Sequence, residues 1–70
     1  MARHLAISGR NYWVLSEPLD PGWKAYVVEV QADGTSDQIG VEATAVTRRA
    51  ADDAAERKLR RLVDPARALR

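Results

Sequence analysis

Cysteine is absent from the 70-residue sequence, and histidine occurs once, as His4. Without cysteine the chain can form neither a disulfide framework nor a thiolate zinc site, and a cytoplasmic location fits best. His4 lies close to the N-terminus, where order is often lost, so we do not expect it to act as a base or a metal ligand. No apolar stretch approaches the ~20 residues of a membrane span, and the first apolar run is too short for a signal peptide. We therefore expect no targeting step.

Templates for catalysis are also missing. No serine or threonine occupies a nucleophile elbow or lies beside a partnered histidine. The glycines lack the spacing that cradles phosphate groups. Asp33 and Asp37 bracket a tight turn, and Asp52 and Asp53 are adjacent on a predicted helix, where neighbouring side chains diverge. We therefore predict a non-enzymatic protein with no metal, no cofactor and no small-molecule substrate.

The charged residues are divided unevenly between the two parts of the chain. Residues 1–45 carry three basic and six acidic side chains, a net charge of −3, whereas residues 46–70 carry eight basic and four acidic side chains, a net charge of +4. The composition, 46% hydrophobic and 30% charged, is that of an ordinary globular domain. A chain of this length buries only about 60% of its unfolded surface. We predict one domain, residues 1–70, with a marginal core.

Strand-forming residues dominate the first two thirds of the chain. Residues 12–15 and 23–31 are rich in aromatic and β-branched side chains, and Leu5 and Ile7 alternate with small residues in a short first strand. The sequence leaves open whether the first ten residues are ordered. Two prolines and a glycine between residues 17 and 22 predict a loop.

Asp33-Gly34 is the strongest hairpin signal, because both residues tolerate the positive φ of a type I′ turn. A two-residue loop there places Val28 opposite Ile39 and Tyr26 opposite Val41. In that register the apolar side chains of both strands face the helix: Tyr26, Val28 and Val30 on one strand, and Ile39, Val41 and Ala43 on the other.

One helix is predicted at about residues 48–63, with Thr47 as its N-cap and a small hydrophobic staple between Val46 and Ala51. Its apolar stripe is formed by Ala51, Ala55, Leu59 and Leu62, with Ala54 and Val63 at the edges. Residues 64–70 are predicted to fray. With a sheet at about residues 3–45, the predicted fold is α+β, a three- or four-stranded antiparallel β-meander packed on one C-terminal helix.

The sheet face away from the helix is one candidate binding surface. In the predicted register Trp23 and Val27 point away from the helix, and Trp13 joins them if Val14 points inward. A lone helix covers one side of a sheet, so this face must meet solvent, a partner subunit or a ligand. The alternative is that the two indole rings lie at the sheet edge and cover the proline loop.

The basic helix is the other candidate surface. Arg48 and Arg49 in its first turn are placed to hold phosphate oxygens beside the positive helix end, with help from Arg60 and Arg61. The alternative is a solvated face, because Asp53 with Arg57 and Glu56 with Arg60 are favourably ordered i, i+4 pairs.

The run Thr47-Arg48-Arg49-Ala50-Ala51-Asp52-Asp53-Ala54-Ala55 resembles the helix opening of a double-stranded-RNA-binding domain. The resemblance covers the second half of that fold, a β-meander leading into a helix. It implies that Thr47 caps the helix, that Arg48 and Arg49 contact phosphates, and that Ala51, Ala54 and Ala55 pack on the sheet. The β-β-β-α outline is also similar to antitoxins of small toxin–antitoxin pairs and to the arm-binding domains of phage-type integrases.

Two functions follow as hypotheses. The first is protein–protein interaction or self-association, by an accessory, inhibitor or antitoxin-like protein that docks through its tryptophan face or a sheet edge. The second is binding to the backbone of double-stranded RNA or DNA through the basic helix. The first is favoured, because the chain is nearly neutral and a marginal core gains stability from an interface.

Overall fold

The computed structural model describes residues 2–63 of the chain. Four strands precede one helix: β1 (Arg3–Ile7), β2 (Arg10–Pro18), β3 (Trp23–Val30), β4 (Ser36–Ala45) and α1 (Arg48–Val63). The strands form an antiparallel sheet in the order β1-β2-β3-β4, and α1 packs on one face, mainly over β2, β3 and β4. The α+β class is confirmed, the sheet has four strands, and the helix begins at Arg48 as predicted. The predicted frayed tail lies outside the described residues.

The first hairpin joins β1 to β2 through a two-residue turn. Ile7 pairs with Arg10, and the turn residues Ser8 and Gly9 both have positive φ, 53° and 78°. Positive φ at both central positions is the signature of a type I′ turn, whose twist matches that of the flanking strands. The order left open for the first ten residues is therefore settled for β1, which is a paired edge strand.

The second hairpin differs from the prediction. Gln31 donates its N–H to the carbonyl of Thr35 (2.7 Å), and Gly34 donates to Gln31 (3.0 Å), so the loop has three residues. Gly34 takes the positive φ of 90° that such a loop requires at its last position. Asp33 fixes the turn by accepting bonds from the N–H and hydroxyl of Thr35.

This one-residue difference reverses the predicted faces of β3. Val28 pairs with Gln38 rather than Ile39, and Tyr26 with Glu42 rather than Val41. Because successive side chains point to opposite sides of a sheet, the shift sends Val27 towards the helix and Val28 away from it. The predicted inward orientation of Tyr26, Val28 and Val30 is therefore wrong, as is the outward orientation of Trp23 and Val27.

An irregularity in β4 leaves the inward orientation predicted for that strand unchanged, because it adds two residues and so keeps the alternation of side chains. Between the pairs formed by Tyr26 and Val28, one residue of β3 lies opposite three of β4, and Gly40 has a φ of 78°. The extra residues bend the strand. Val41 and Ala43 are buried and Ile39 packs against the same cluster, as predicted.

The core lies between this inner face of the sheet and α1. Among residues 2–63 its buried members are Tyr12, Val14, Ala25, Val27, Val41, Ala43, Ala51, Ala55 and Leu59. Four of these nine residues are alanines, which bring the helix close to the sheet but bury little apolar area each. The result is a thin core, in agreement with the chain length.

The helix begins as predicted, since Thr47 Oγ1 accepts the N–H of Ala50 at 3.1 Å. The hydrophobic staple is wrong, because Val46 is 87% exposed while Ala51 is fully buried. Leu62 is also wrongly placed in the apolar stripe. It is 61% exposed because the packed row of the helix continues from Leu59 to Val63, four residues later, and Leu62 points away from that row.

Gly22 closes the loop between β2 and β3. Its φ is 92°, and a Cβ added there would lie 2.6 Å from the carbonyl oxygen of Ala45. Only glycine allows that approach, which brings the loop against the end of β4 immediately before the helix.

Candidate protein interface on the outer sheet face

The sheet face opposite the helix, here called the outer face, follows from the strand register. Val14 pairs with Val27, and both are buried in the core. Their neighbours Trp13 and Val28 pair with each other and must therefore point to the opposite side. The same alternation places Leu15 opposite Tyr26 on this face.

Five apolar side chains run together across the middle strands of the outer face, and we call them the apolar strip: Trp13, Leu15, Tyr26, Val28 and Val30. Trp13 is 37% exposed, whereas Leu15, Tyr26 and Val30 are half-buried. Val28 is only 9% exposed although it does not belong to the core cluster. Its neighbours on the face therefore shield it, so the strip is a second apolar cluster without a covering element among residues 2–63.

Polar groups surround this strip. Lys24 Nζ lies 3.4 Å from Glu42 Oε2, and Glu17 is the cross-strand neighbour of Lys24 on the other side. Asn11 and Gln38 flank the strip on β2 and β4. An apolar centre within a polar rim is the usual anatomy of a protein interface. Because both signs of charge are present, the face has no strong electrostatic preference for a polyanion.

His4, on β1, lies beside the apolar strip. It is the cross-strand partner of Trp13, and the two ring centroids are 5.1 Å apart with planes inclined at 49°. The imidazole Nε2 lies 3.2 Å from Asn11 Oδ1. The sole histidine of the chain therefore has a fixed position beside the exposed indole.

Of the residues predicted to form a protein-binding surface, the structure keeps Trp13 on the outer face, because Val14 does point inward. Trp23 instead packs against the core cluster, and Val27 is 1% exposed within it. Leu15, Tyr26, Val28 and Val30 were missed. The length of the loop between β3 and β4 is the signal that locates them. A three-residue loop turns the face of β3 that carries Tyr26, Val28 and Val30 away from the helix.

The free edge of β4 is less suited to docking than the face. Lys58 Nζ donates to the backbone carbonyl of Glu42 at 2.9 Å, which occupies an acceptor on the edge strand. The irregularity at Gly40 further interrupts the regular spacing of backbone groups. Lysines and bulges on edge strands oppose pairing with another chain.

The basic residues at the start of α1 are partly used within the fold. Arg48 Nε donates to Ser16 Oγ at 2.9 Å, and its guanidinium carbon lies 5.6 Å from the centre of the Trp23 ring. This cation–π contact joins the start of the helix to the start of β3. Arg49 is exposed. The structure therefore separates the two arginines, giving Arg48 a packing role and leaving Arg49 at the surface.

Acidic residues compensate other cations near the helix. Arg3 Nη1 binds Asp53 Oδ1 at 3.0 Å and Glu56 Oε1 at 2.8 Å, and Arg60 Nε binds Glu56 Oε2 at 3.0 Å. The hydrogen bond from Arg3 holds the pKa of Glu56 below its ordinary value, against the opposing effect of burial. The same bonds raise the pKa of Arg3. Arg60 thus forms the i, i+4 ion pair that is typical of a solvated helix face. Arg61 is exposed.

One buried acid has an unsatisfied oxygen. Asp52 is 7% exposed, and its Oδ1 has no hydrogen-bond partner. Asp52, Arg3, Arg48 and Arg49 line a shallow depression beside the helix N-terminus. Within residues 2–63 no three histidine or acidic side chains converge as metal ligands.

These features define a class, an α+β domain in which one helix covers one face of a four-stranded meander and an apolar strip remains on the other. No protein-family model, curated protein or solved structure matches the chain. Within residues 2–63 no helix has the length and apolarity needed to cross a membrane.

Proposed function

We propose that this protein is a small self-associating interaction module, in which the apolar strips of two copies pack against each other. The observation that carries the proposal is the position of Trp13, which is 37% exposed within the apolar strip of the outer face. Tryptophan and tyrosine concentrate binding energy in protein interfaces, especially where polar neighbours exclude water around them.

The size of the outer face is compatible with an interface. Four strands about 4.8 Å apart and about eight residues long present on the order of 500 Å² before the relief of the side chains is counted. Specific interfaces bury about 800 Å² per partner. Two twisted sheets can also pack face to face at about 10 Å, with both helices outside. A second copy would therefore cover the strip with a surface of matching size and polarity.

The thin core favours a second copy over an unrelated partner. With alanines as four of its nine buried members, the core gains little free energy for its size. Association of two strips creates a second apolar layer and adds stability by mass action. The outer face also carries Lys24 between Glu17 and Glu42, so it offers both signs of charge to an identical surface.

The test is the concentration dependence of the solution mass, measured by sedimentation equilibrium for the wild type, Trp13→Ser and Val46→Ser. We expect a dimer for the wild type and a dissociation constant at least about tenfold higher for Trp13→Ser. Val46 is 87% exposed and lies off the strip, so Val46→Ser should change the constant by less than about twofold.

Circular dichroism of dilute samples checks that both variants keep the wild-type fold, which is expected because neither side chain belongs to the core. A wild-type monomer at all accessible concentrations would rule out the proposal. Equal loss of association in both variants would show that the strip is not the interface.

Binding to a nucleic-acid backbone is the second candidate, and the resemblance to a double-stranded-RNA-binding domain is its main support. Exposed Arg49 and Arg61 are available for phosphate contacts. Less support comes from Arg3 and Arg60, whose charges are compensated by Asp53 and Glu56. A salt-sensitive complex with an RNA or DNA duplex, lost in Arg49→Gln but kept in Trp13→Ser, would make this candidate the better one.

A further inference from the structure

We infer that His4 makes the self-association sensitive to protons, so that two copies associate more tightly when the imidazole is neutral than when it is charged. The inference rests on the proposed packing of outer faces and concerns the regulation of that same surface. Its starting point is the contact between His4 and Trp13, whose ring centroids are 5.1 Å apart.

Covering Trp13 would remove the adjacent imidazole from water. The two residues are direct cross-strand partners, and both side chains point to the outer face. A surface that packs on the indole therefore comes within a few ångströms of His4. Burial beside apolar groups disfavours the charged form of a histidine, because the imidazolium loses its hydration. Association should thus release any proton that His4 carries.

Within the described part of the chain, residues 2–63, the surroundings of His4 supply no charge that would offset this loss. Its nearest polar neighbour is Asn11, an uncharged acceptor 3.2 Å from Nε2. Beyond Trp13 the same row continues with Val28 and Gln38.

The charged residues nearby lie elsewhere. Arg3 precedes His4 but faces the helix, where it binds Asp53 and Glu56. On the outer face the charged groups are Glu17, Lys24 and Glu42, and the strand register places all three beyond Trp13 or on the far strand. Among residues 2–63 of the same copy, a charged imidazole therefore has no carboxylate partner on the outer face.

In the separate molecule His4 is exposed to water, so its imidazole keeps its hydration. Protonation of His4 therefore stabilises the single copy relative to the pair. The affinity of the two copies for each other falls as the pH falls through the range in which histidine becomes charged.

The experiment measures the dissociation constant by sedimentation equilibrium at pH 7.5 and pH 5.5 for the wild type, His4→Gln and His4→Leu. Each pair of copies contains two His4 side chains, so the wild-type constant should rise at least about tenfold at the lower pH. His4→Leu keeps an uncharged side chain against Trp13, and His4→Gln keeps a polar one. In both variants the change should stay within about twofold.

The sequence makes this test selective, because it contains one histidine and no cysteine. The α-amino group also titrates near neutral pH, but it is retained in both variants. An unchanged or tighter wild-type constant at pH 5.5, or an equal pH response in His4→Leu, would overturn the inference while leaving the interface intact. A wild-type monomer at both pH values would instead overturn the proposed function itself.

Discussion

The two faces of the sheet use apolar residues differently. On the inner face, Ala25 and Ala43 meet Ala51 and Ala55 of the helix, and all four are at most 6% exposed. On the outer face the apolar residues include Trp13, whose indole remains 37% exposed. Small side chains allow a helix to approach a sheet closely, whereas large exposed ones present area to another surface. The inner face therefore has small side chains that are buried, and the outer face has large apolar side chains that stay partly exposed.

The largest expected effect tests the inner face. Leu59→Ala should lower the free energy of unfolding by about 2–4 kcal/mol, because Leu59 is fully buried and its removal leaves a cavity in a thin core. Leu62→Ala on the same helix should change it by less than about 0.5 kcal/mol, since Leu62 is 61% exposed. Urea denaturation at concentrations where the protein is monomeric measures both. Similar losses in the two variants would contradict the described boundary of the core.

A second comparison uses neighbouring valines on opposite faces. Val27→Ala should lower the free energy of unfolding of the monomer by about 1–3 kcal/mol, because Val27 is 1% exposed in the core. Val28→Ala should cost about 1 kcal/mol or less and should mainly weaken self-association. Denaturation of dilute samples, combined with sedimentation of concentrated ones, separates the two effects. A larger loss of stability in Val28→Ala than in Val27→Ala would instead support the two-residue hairpin loop and its register.

The smallest expected effect concerns the ion pair that joins β1 to the helix on the inner side. Glu56→Gln should lower the free energy of unfolding at pH 7 by about 0.5–1 kcal/mol, since the pair with Arg3 is partly exposed. The folded-state pKa of Glu56 is lowered, so its contribution is present above the ordinary value of 4.5 and is lost as the pH falls below it. Wild type and variant should therefore converge in acid.

The matched control for that pair is Glu42→Gln on the outer face. Glu42 is 63% exposed, and its contact with Lys24 is longer, at 3.4 Å. Its effect at pH 7 should stay below about 0.3 kcal/mol. Thermal denaturation from pH 3 to pH 7 measures both variants, and an equal pH response would show that Glu56 has no special role.

Local signals predicted much of the fold. The cap at Thr47 and the apolar spacing of Ala51, Ala55 and Leu59 placed the helix correctly, because a helix start is set by hydrogen bonds within one turn. The same periodicity wrongly included Leu62, since the packed row continues from Leu59 to Val63 and leaves Leu62 exposed.

The candidate site was only partly predictable, because it depends on the register between strands. Asp33-Gly34 correctly identified a turn, yet the hydrogen bond between Gln31 and Thr35 adds one residue to the loop. The extra loop residue places Val27 in the core and Val28 on the outer face, the reverse of the prediction. In β4 the alternation of side chains correctly predicted the inward orientation of Val41 and Ala43, and the irregularity at Gly40 does not change it.

The sequence by itself determined the element types, the class of the fold and the start of the helix, because capping, turn chemistry and periodicity act over a few neighbouring residues. Tertiary structure alone decided which side of β3 faces the helix, that Arg48 packs on Trp23, and that Trp13 lies beside His4 on the outer face. Those features depend on contacts between residues distant in sequence, and a shift of one residue reverses them.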